Sequence, residues 1–465
     1  MKKIITVIYT LSFVIGAVSA QSVYDGVKIA DKDLNGTARF VGMGGAMGAL
    51  GGDITTMGTN PAGIGIYRSN DVMTSFSYSA YGMESKYEGQ KSTIDKNRWS
   101  FDNIGVVFAT KIGNQTPLRY VNFGFNYKRS KSFYKNMSMS GMMGVVENPS
   151  NPGSPYYVSQ TNSMALQATD AERYVWDNSR QHLDFDNANR IFSDPDAGWL
   201  GALGYQGGLT ERDRIDNEPD LYVPFLPVEP SSVFNSREKG GIDQYDFNVS
   251  FNINDRVYLG LTIGAYIVDY DKYSGYDESY KRGEGYSLES YNNISGSGFD
   301  VKMGLILRPF EYSPFRIGFA VHTPTFYKLT YSTSAIVTND YRDAKTDELK
   351  RIIVDTYDYV GDMKRDYRLV TPWKYNVSLG YTVGTSLALG AEYEYEDYST
   401  MKFKYSSNDG GGDMEFENAE VKNCLKGEHT FRIGAEYKVI PEFAFRLGYN
   451  YSSAVFRNIF LPILL

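Results

Sequence analysis

The fold is indicated most clearly by residues 373–396, WKYNVSLGYTVGTSLALGAEYEYE, because apolar side chains alternate there with small or polar side chains at nearly every step. Aromatic and aliphatic side chains fill the odd positions from Trp373 to Val383, and small or polar side chains separate them. Residues 387–396 repeat the pattern. A period of two is that of a β-strand with one apolar face. The stretch therefore predicts two strands joined by a tight turn.

The same alternation recurs through most of the chain. Each run is about as long as the 9–11 residues that a tilted strand needs to cross a bilayer, whereas strands of soluble domains average about 5–6 residues. We therefore predict an all-β fold, a transmembrane antiparallel β-barrel rather than a soluble sandwich. The twelve runs begin near Val72, Trp99, Leu118, Ile242, Arg256, Gly298, Phe315, Phe326, Trp373, Ser386, Glu428 and Glu442.

The first twenty residues have the features of an export signal. Lys2 and Lys3 precede an uncharged apolar run, and Ala20 provides a small residue for cleavage, so residues 1–20 are predicted to be a signal peptide. No second long apolar run follows, and the mean hydropathy is −0.37, which excludes a helical membrane protein. Since only helices and closed barrels satisfy the backbone in lipid, we expect a bacterial outer-membrane barrel.

Composition narrows the class further. Cys424 is the only cysteine, so no intramolecular disulfide can form. The chain has 39 tyrosines, a residue suited to membrane–water interfaces because its ring is apolar and its hydroxyl is polar. A net charge of −8 argues against nucleic-acid binding, which requires basic surfaces.

Two regions lack the alternation. Residues 21–70 are rich in glycine, and residues 131–241 form a polar, proline-containing insertion with a predicted helix over residues 163–182. Connections this long in a barrel are usually functional external loops. Residues 270–297, 331–371 and 405–427 are interpreted as further external loops.

A family resemblance rests first on ARFVGMGGAMGALGGDITTMGTNPAGI, residues 38–64. This stretch resembles the hatch of the FadL and toluene-transporter family, in which a Gly- and Ala-rich run and an Asp precede Asn-Pro-Ala-Gly. Those positions are Asp53, Asn60, Pro61, Ala62 and Gly63 here. Later segments agree in order: HTPTFY (322–327), TPWKYNVSLGY (371–381), LALGAEYEYEDYS (387–399) and HTFRIGAEYKVIPEFAFRLGYNYSSA (429–454).

The resemblance implies a fourteen-stranded barrel (71–465) plugged by an N-terminal hatch (21–70), in which Asp53 and Asn60 to Gly63 hold or gate the hatch. It also implies passive uptake of long-chain fatty acids or other hydrophobic compounds by a monomer embedded in outer-membrane lipid. External loops, chiefly residues 131–241, would capture the ligand, which would leave sideways at a kinked strand. The resemblance implies neither an enzyme nor a cofactor.

Two alternatives to transport remain open. Some members of the family are labelled haemin receptors, which favours a haemin-binding receptor, and a surface adhesion or structural protein would use the external loops instead. His182, His322 and His429 are scattered without paired spacing, so they are interpreted as lumen or loop histidines.

The chain departs from the family pattern at its end. Where the family continues with two more strands, SSAVFRNIFLPILL occupies residues 452–465. The twelve runs fall two short of fourteen, and we interpret this as a C-terminal truncation.

Two glycine-containing motifs are interpreted as structural. Asp31 and Asp33 match the start of a calcium loop, but the twelfth position is Gly42, which has no carboxylate, so a polar turn is expected and no metal. Gly42, Gly44 and Gly48 lack the βαβ context of a nucleotide fingerprint. Close packing of the backbone inside a barrel explains these glycines.

One ladder of acids lies on the polar face of a strand. Glu392, Glu394 and Glu396 all point the same way, which favours a polar lumen or rim over paired catalytic acids. Their expected counter-charges are Arg432 and Arg446, or Lys374, on nearby strands.

Overall fold

Long antiparallel strands dominate the structure, as the alternation predicts. The computed structural model describes residues 23–87, 90–146, 156–157, 159–194, 196–214, 217–225, 231–440 and 442–457. The predicted signal peptide and the end of the chain, from residue 458, lie outside these residues. In the described part, no helix is both long and apolar enough to span a membrane.

The strands, in chain order, are β1 (Asp71–Tyr87), β2 (Gln90–Lys111), β3 (Leu118–Ser132), β4 (Lys135–Met142), β5 (Val145–Val146), β6 (Tyr156–Tyr157), β7 (Thr210–Asp213), β8 (Leu221–Pro224), β9 (Ser231–Ile253), β10 (Val257–Ser279), β11 (Gly285–Leu307), β12 (Arg316–His322), β13 (Phe326–Arg342), β14 (Leu349–Asp355), β15 (Met363–Val370), β16 (Lys374–Val383), β17 (Leu387–Asp397), β18 (Lys402–Tyr405), β19 (Gly427–Ile440) and β20 (Phe443–Ser452). The α-helices are α1 (Val23–Ala30), α2 (Ala38–Gly42), α3 (Gln160–Ser179), α4 (Ala188–Ile191), α5 (Trp199–Gln206), α6 (Thr356–Val360) and α7 (Glu415–Cys424). Five short 3-10 helices cover Ile54–Gly58, Pro61–Ile66, Lys281–Gly283, Tyr398–Thr400 and Ser407–Asp409.

One antiparallel sheet contains sixteen of these strands. Its main path runs β1-β2-β3-β9-β10-β11-β12-β16-β17-β19-β20, and we call these eleven strands the wall. Strands β4, β13, β14, β15 and β18 extend the same sheet beside the wall. In the described residues β1 and β20 do not pair with each other, so the sheet is not closed.

The runs predicted near Phe315 and Phe326 are β12 and β13, which pair with the same strand, β11, one after the other. Together they occupy one strand position of the sheet, and we call such a position a line. Strand β11 pairs with β12 from Leu307 to Lys302 and continues with β13 from Phe299. The gap between β12 and β13 is short and contains Pro324, which donates no backbone hydrogen bond. The twelve predicted runs therefore form eleven lines in the described sheet.

Two neighbouring lines are interrupted at matching positions. Strands β15 and β16 are separated by residues 371–373, and β17 and β18 by residues 398–401. Strand β15 pairs with β13 and β18, while β16 pairs with β12 and β17. A break thus crosses three adjacent lines of the sheet at one height.

The two faces of the wall have opposite polarity. Phe247, Ile263 and Ile433 point outward and are 56%, 52% and 57% exposed. On the inward face, polar side chains such as Asn122 and Asp246 are fully buried. This is the reverse of a soluble protein, and a large contiguous exposed apolar surface marks a membrane or protein contact.

The turn between β9 and β10 shows why the strands can be joined so tightly. Asn254 and Asp255 have φ values of 53° and 54°. Positive φ at both central residues is the geometry of a type I′ turn, whose twist matches that of antiparallel strands, and Asn and Asp tolerate it better than most residues.

Two of the predicted external loops are wrong. Residues 270–297 continue β10 and β11, which remain paired as far as Ser279 and Gly285. Residues 331–371 hold the rest of β13 together with β14, α6 and β15. Backbone pairing does not require an apolar face, so the sheet extends beyond the region where apolar alternation ends. Residues 405–427 do contain non-strand structure, including α7.

A helical cap packs against the sheet, and we define it as the described residues between 159 and 225. Helix α3 confirms the predicted helix, although it begins three residues earlier, at Gln160, behind an N-cap at Ser159. A buried cluster joins the cap to the sheet through Met164, Leu203, Val337 and Val354.

A buried carboxylate fixes the start of α3 to the sheet. Glu278, near the end of β10, accepts hydrogen bonds from the Ser159 hydroxyl at 2.8 Å and the Gln160 backbone N–H at 3.1 Å. It also accepts from three tyrosine hydroxyls, of Tyr276, Tyr280 and Tyr286. The positive end of the helix dipole stabilises this charge.

Replacing Glu278 should therefore loosen the cap. Glu278→Ala leaves five donors without their acceptor, and each lost bond to a charged group is worth about 1.5–3 kcal/mol. We expect limited proteolysis to cut within residues 159–225 roughly tenfold faster. Glu289→Ala is the matched control, because Glu289 accepts from only two tyrosines, Tyr273 and Tyr291. Equal cleavage of the two variants would contradict the anchoring role.

Candidate functional site

The segment predicted to hold the hatch lies buried against the inward face of the wall. The Asn60 side chain donates to the Gly48 carbonyl at 2.8 Å and accepts from the Ala62 backbone N–H at 3.2 Å. It also caps the 3-10 helix Pro61–Ile66. Asn60 therefore bonds both a neighbouring amide and the backbone twelve residues earlier.

Asp53 organises the turn that precedes this segment. One carboxylate oxygen accepts from the Thr55 N–H at 2.9 Å and the other from the Thr37 hydroxyl at 2.6 Å. Asp53 is fully buried. The Gly63 carbonyl accepts from the Gly52 N–H at 3.0 Å, so the Asp53 turn and the Asn60 segment are tied together.

Polar side chains of the wall donate to backbone carbonyls of residues 31–67, which we call the inner segment. The Ser250 hydroxyl donates to the Pro61 carbonyl at 2.9 Å, and the Asn122 amide donates to the Ile64 carbonyl at 2.7 Å. On other strands, Ser75 donates to Gly36 and Arg316 donates to Leu50. An irregular backbone inside a barrel needs such partners, because an unpaired buried carbonyl is costly.

Glycines of the wall let the inner segment come close. A methyl group built at Gly304 would overlap Asn60, and one at Gly260 would overlap Pro61. The same close approach to the inner-segment backbone recurs on further strands at Gly318, Gly380, Gly390, Gly434 and Gly448.

The glycine motif of the inner segment makes the reciprocal contacts. A methyl group at Gly44 would lie 2.8 Å from the Tyr449 backbone nitrogen, and one at Gly48 would lie 2.7 Å from the Ser378 hydroxyl. A methyl group at Gly42 would lie 3.2 Å from Arg446. The prediction that these glycines serve close packing is confirmed.

A tier of buried charges lies beside this contact zone. Arg432 pairs with Glu392 at 2.6 Å and with Glu394 at 2.9 Å, and Lys374 pairs with Glu394 at 3.2 Å and also with Glu396. Two of the expected counter-charges, Arg432 and Lys374, are therefore confirmed.

The prediction for Arg446 is wrong. Its guanidinium pairs with Glu436 at 2.7 Å, directly across the β19–β20 hairpin. Glu436 also pairs with Arg39 of the inner segment at 3.0 Å, so this second group of charges joins the segment to the wall.

The charged tier continues on β9, β10 and β11. The Lys302 ammonium lies 3.0 Å from Asp246 and 2.7 Å from Asp300, and all three side chains are buried. Lys32 of the inner segment donates to the Tyr266 hydroxyl at 3.2 Å. Burial removes water from its ammonium group and lowers the pKa of Lys32 to about 8.

Beyond the charged tier, the inward face becomes apolar and rich in tyrosine. We call this packed cluster the apolar chamber. Helix α1 belongs to it and packs through Val23, Ile29 and Ala30. The Lys28 ammonium, on the same helix, bonds Glu238 at 2.9 Å and the Tyr270 hydroxyl at 2.6 Å. The other residues of the chamber include Phe133, Ile242, Tyr270, Ile294, Tyr327, Leu329, Tyr367, Leu369 and Phe403.

The three histidines lie in separate places. His322, on the inward face of β12, contacts the Thr59 carbonyl at 2.7 Å. His429, on β19, contacts the Tyr393 hydroxyl at 2.8 Å. His182 lies in the helical cap.

Asp31 and Asp33, which match the start of a calcium loop in the sequence, both pair with Lys131.

No known family model matches the sequence, and no curated protein matches it. Solved structures do align with it. The toluene transporter TbuX of Ralstonia pickettii is 12% identical over 91% of this chain and 88% of that chain, with a TM-score of 0.39. A FadL homologue of Pseudomonas aeruginosa is 12% identical over 92% and 82%, with a TM-score of 0.44. The toluene transporter TodX of Pseudomonas putida is 10% identical over 92% and 86%, with a TM-score of 0.39.

The structural similarity is to FadL-type proteins. At these identities the similarity concerns the fold alone, and the fold described above rests on the strand pairing of this chain. Asp53 and residues 60–63 could be singled out from the sequence, but the wall residues that bond the segment could not. These are Asn248 and Ser250, which donate to the Pro61 carbonyl, and Asn122, which donates to the Ile64 carbonyl. Alternation of small polar residues on the inward face was the signal for those partners.

Adding a methyl group at the contact should dislodge the inner segment. Gly304→Ala places a side chain where Asn60 lies, and overpacking costs about 1–3 kcal/mol. We expect roughly tenfold faster hydrogen exchange in peptides covering residues 46–66. Gly412→Ala is the control, because a methyl group there meets nothing within 4 Å. Unchanged exchange in Gly304→Ala would show that the contact does not hold the segment.

Proposed function

We propose that the chain is a passive outer-membrane transporter of hydrophobic compounds, such as long-chain fatty acids or aromatic hydrocarbons. The observation that carries this proposal is the apolar chamber, because it lies on the inward side of a wall whose polar inner face lines the rest of the interior. Apolar side chains inside an otherwise polar interior favour contact with a hydrophobic solute over contact with ions.

The outward face supports the location in a membrane. Its exposed aromatic and aliphatic side chains, among them Phe247, Phe299 and Ile433, would be in contact with water in a soluble protein. Lipid removes that cost, since burial is worth about 25 cal/mol for each Å² of apolar surface. The polar side chains, which lipid would not solvate, point to the inward face instead.

In this proposal the inner segment closes the lumen to water below the chamber. Residues 60–63 would tie that segment to the wall, because the Asn60 amide donates to the Leu305 carbonyl at 3.4 Å and the Pro61 carbonyl accepts from the Ser250 hydroxyl. Asp53 would hold the segment together internally. The ligand would contact the helical cap, pass to the apolar chamber and leave through the wall. The break that crosses β12/β13, β15/β16 and β17/β18 is our proposal for the exit, because the sheet there lacks continuous pairing.

Asn60→Ala tests the role of the inner segment. It removes the bond to the Gly48 carbonyl and the cap on Ala62, and a lost side-chain bond of this kind costs about 0.5–1.5 kcal/mol. In cells without another hydrophobic-compound transporter, we expect uptake of radiolabelled oleate and toluene to fall several-fold at equal surface levels. Asn293→Ala is the control, because among the described residues Asn293 bonds the neighbouring strand β10, at the Tyr270 carbonyl and Asp271, and not the inner segment.

The same assay separates the proposal from its rivals. Unchanged uptake in Asn60→Ala cells would contradict the role of the inner segment. If cells with the wild-type chain take up neither oleate nor toluene yet bind haemin or a surface, the receptor or adhesion hypothesis replaces transport. A large steady ion conductance of the wild-type protein in a planar bilayer would instead indicate a water-filled pore.

A further inference from the structure

Three side chains from separate segments of the helical cap converge on one point. Glu172 lies on α3, His182 follows the end of that helix, and Asp220 precedes β8. Their ligand atoms all lie within 4.8 Å of one another. The His182 Nδ1 atom is 2.5 Å from the Glu172 carboxylate and 3.8 Å from the Asp220 carboxylate.

The two carboxylates are removed from water. Glu172 is fully buried, and Asp220 is 5% exposed. The second oxygen of Glu172 accepts from the Leu183 N–H at 2.9 Å, which orients the first oxygen towards His182. Buried carboxylates require a positive partner.

The nearby arginine compensates only part of this charge. The Arg212 guanidinium lies 3.7 Å from Asp220, but its shorter contact, at 2.5 Å, is with a different acid, Asp186. With Arg214, which lies 3.5 Å from Asp186, the cluster holds three carboxylates, two guanidiniums and one imidazole, and Arg212 is the guanidinium that lies near Asp220.

An independent observation points to a missing partner at the same place. The Tyr222 hydroxyl is buried, since the residue is only 5% exposed, and no described group accepts its proton. The Arg212 guanidinium contacts its oxygen, and the Glu172 and Asp220 carboxylates are its negatively charged neighbours. A phenolic proton without an acceptor beside two carboxylates suits a site where a metal-bound water would complete the contacts.

We propose that Glu172, His182 and Asp220 bind a divalent transition metal, with Zn²⁺ as the best fit. One imidazole and two carboxylates are a ligand set that Zn²⁺ accepts, at about 2.0–2.2 Å from each atom, with a fourth position left for water. An imidazole ligand disfavours Ca²⁺ and Mg²⁺, which prefer oxygen. This metal would fix α3 to the β7–β8 hairpin, and it revises the expectation that the chain binds none.

The protein carries its own reporter for this site. The Trp176 ring lies 4.6 Å from the His182 ring, centroid to centroid. A paramagnetic ion bound at His182, such as Co²⁺, will quench the fluorescence of Trp176. Trp176→Phe should remove that quenching without removing the metal.

The test uses the detergent-purified full-length protein after removal of metals with a chelator. Equilibrium dialysis against Zn²⁺ should give one bound ion per chain, with Ca²⁺ bound far more weakly. His182→Gln and Asp220→Asn should each weaken Zn²⁺ binding by roughly tenfold or more, a loss expected when a metal ligand or its support is removed. His429→Gln is the matched control, because His429 also lies beside aromatic rings but outside the cap.

Retention of heat-modifiable gel migration shows that each variant is folded, and Glu172→Gln provides a third variant of nearly unchanged shape. Saturable binding of one Zn²⁺ that both His182→Gln and Asp220→Asn weaken, while His429→Gln does not, supports the site. Absent or non-saturable Zn²⁺ binding overturns it and leaves a cluster held together by protein contacts alone. Equal binding by His182→Gln and the wild type, or equal affinity for Ca²⁺, also overturns it.

Discussion

The structure depends on one constraint: every buried polar backbone group must find a partner in the protein. The wall meets this constraint by antiparallel pairing. The inner segment is irregular, so its carbonyls need side-chain donors, which Ser250, Asn122 and Arg316 provide. Glycines such as Gly304 give the room in which those contacts form. The small and polar residues on the inward face of the strands thus provide the room and the hydrogen-bond donors that the irregular inner segment needs.

The inward face of the wall is divided into three tiers: the contact with the inner segment, the buried charges and the apolar chamber. Along β10 and β11, the contact with Pro61 at Gly260 is followed by the buried charges around Lys302 and then by the apolar chamber at Tyr270. On the line formed by β17 and β18, the order is Gly390, the Glu392 to Glu396 ladder, and Phe403. The break in the sheet lies between the charged tier and the chamber on this line.

The wall could be predicted from the sequence because alternation is a local property. Residues 373–396 show both strands of a hairpin directly, and their pairing from Lys374 with Glu396 to Val383 with Leu387 agrees with it. The count of lines could not be predicted, because Thr323 to Thr325 resembles a turn and only the pairing with β11 shows that the line continues.

Contacts between strands were harder to predict than the strands themselves. The partner of Arg446 depends on the register of the β19–β20 hairpin, which places it opposite Glu436. The carboxylates and imidazole of Glu172, His182 and Asp220 meet only through the packing of the cap, and no local pattern in the sequence marks that meeting. The inner-segment residues Asn60 to Gly63 were singled out by the family resemblance, and the bond of Asn60 to the Ala62 amide is one that an Asn side chain makes with its own neighbours.

The central claim is that the outward face of the wall lies in lipid while the inward face is packed against protein and polar groups. Nitroxide labels on single cysteines, introduced after Cys424→Ser, measure this directly in reconstituted bilayers. Labels at Phe247, Ile263 and Ile433 should be accessible to oxygen and shielded from a water-soluble nickel complex, whereas labels at the inward positions Ser250 and Asn376 should be poorly accessible to oxygen. Equal accessibility to the nickel complex at the three outward positions and at an exposed position of the cap, such as Tyr174, would contradict the account.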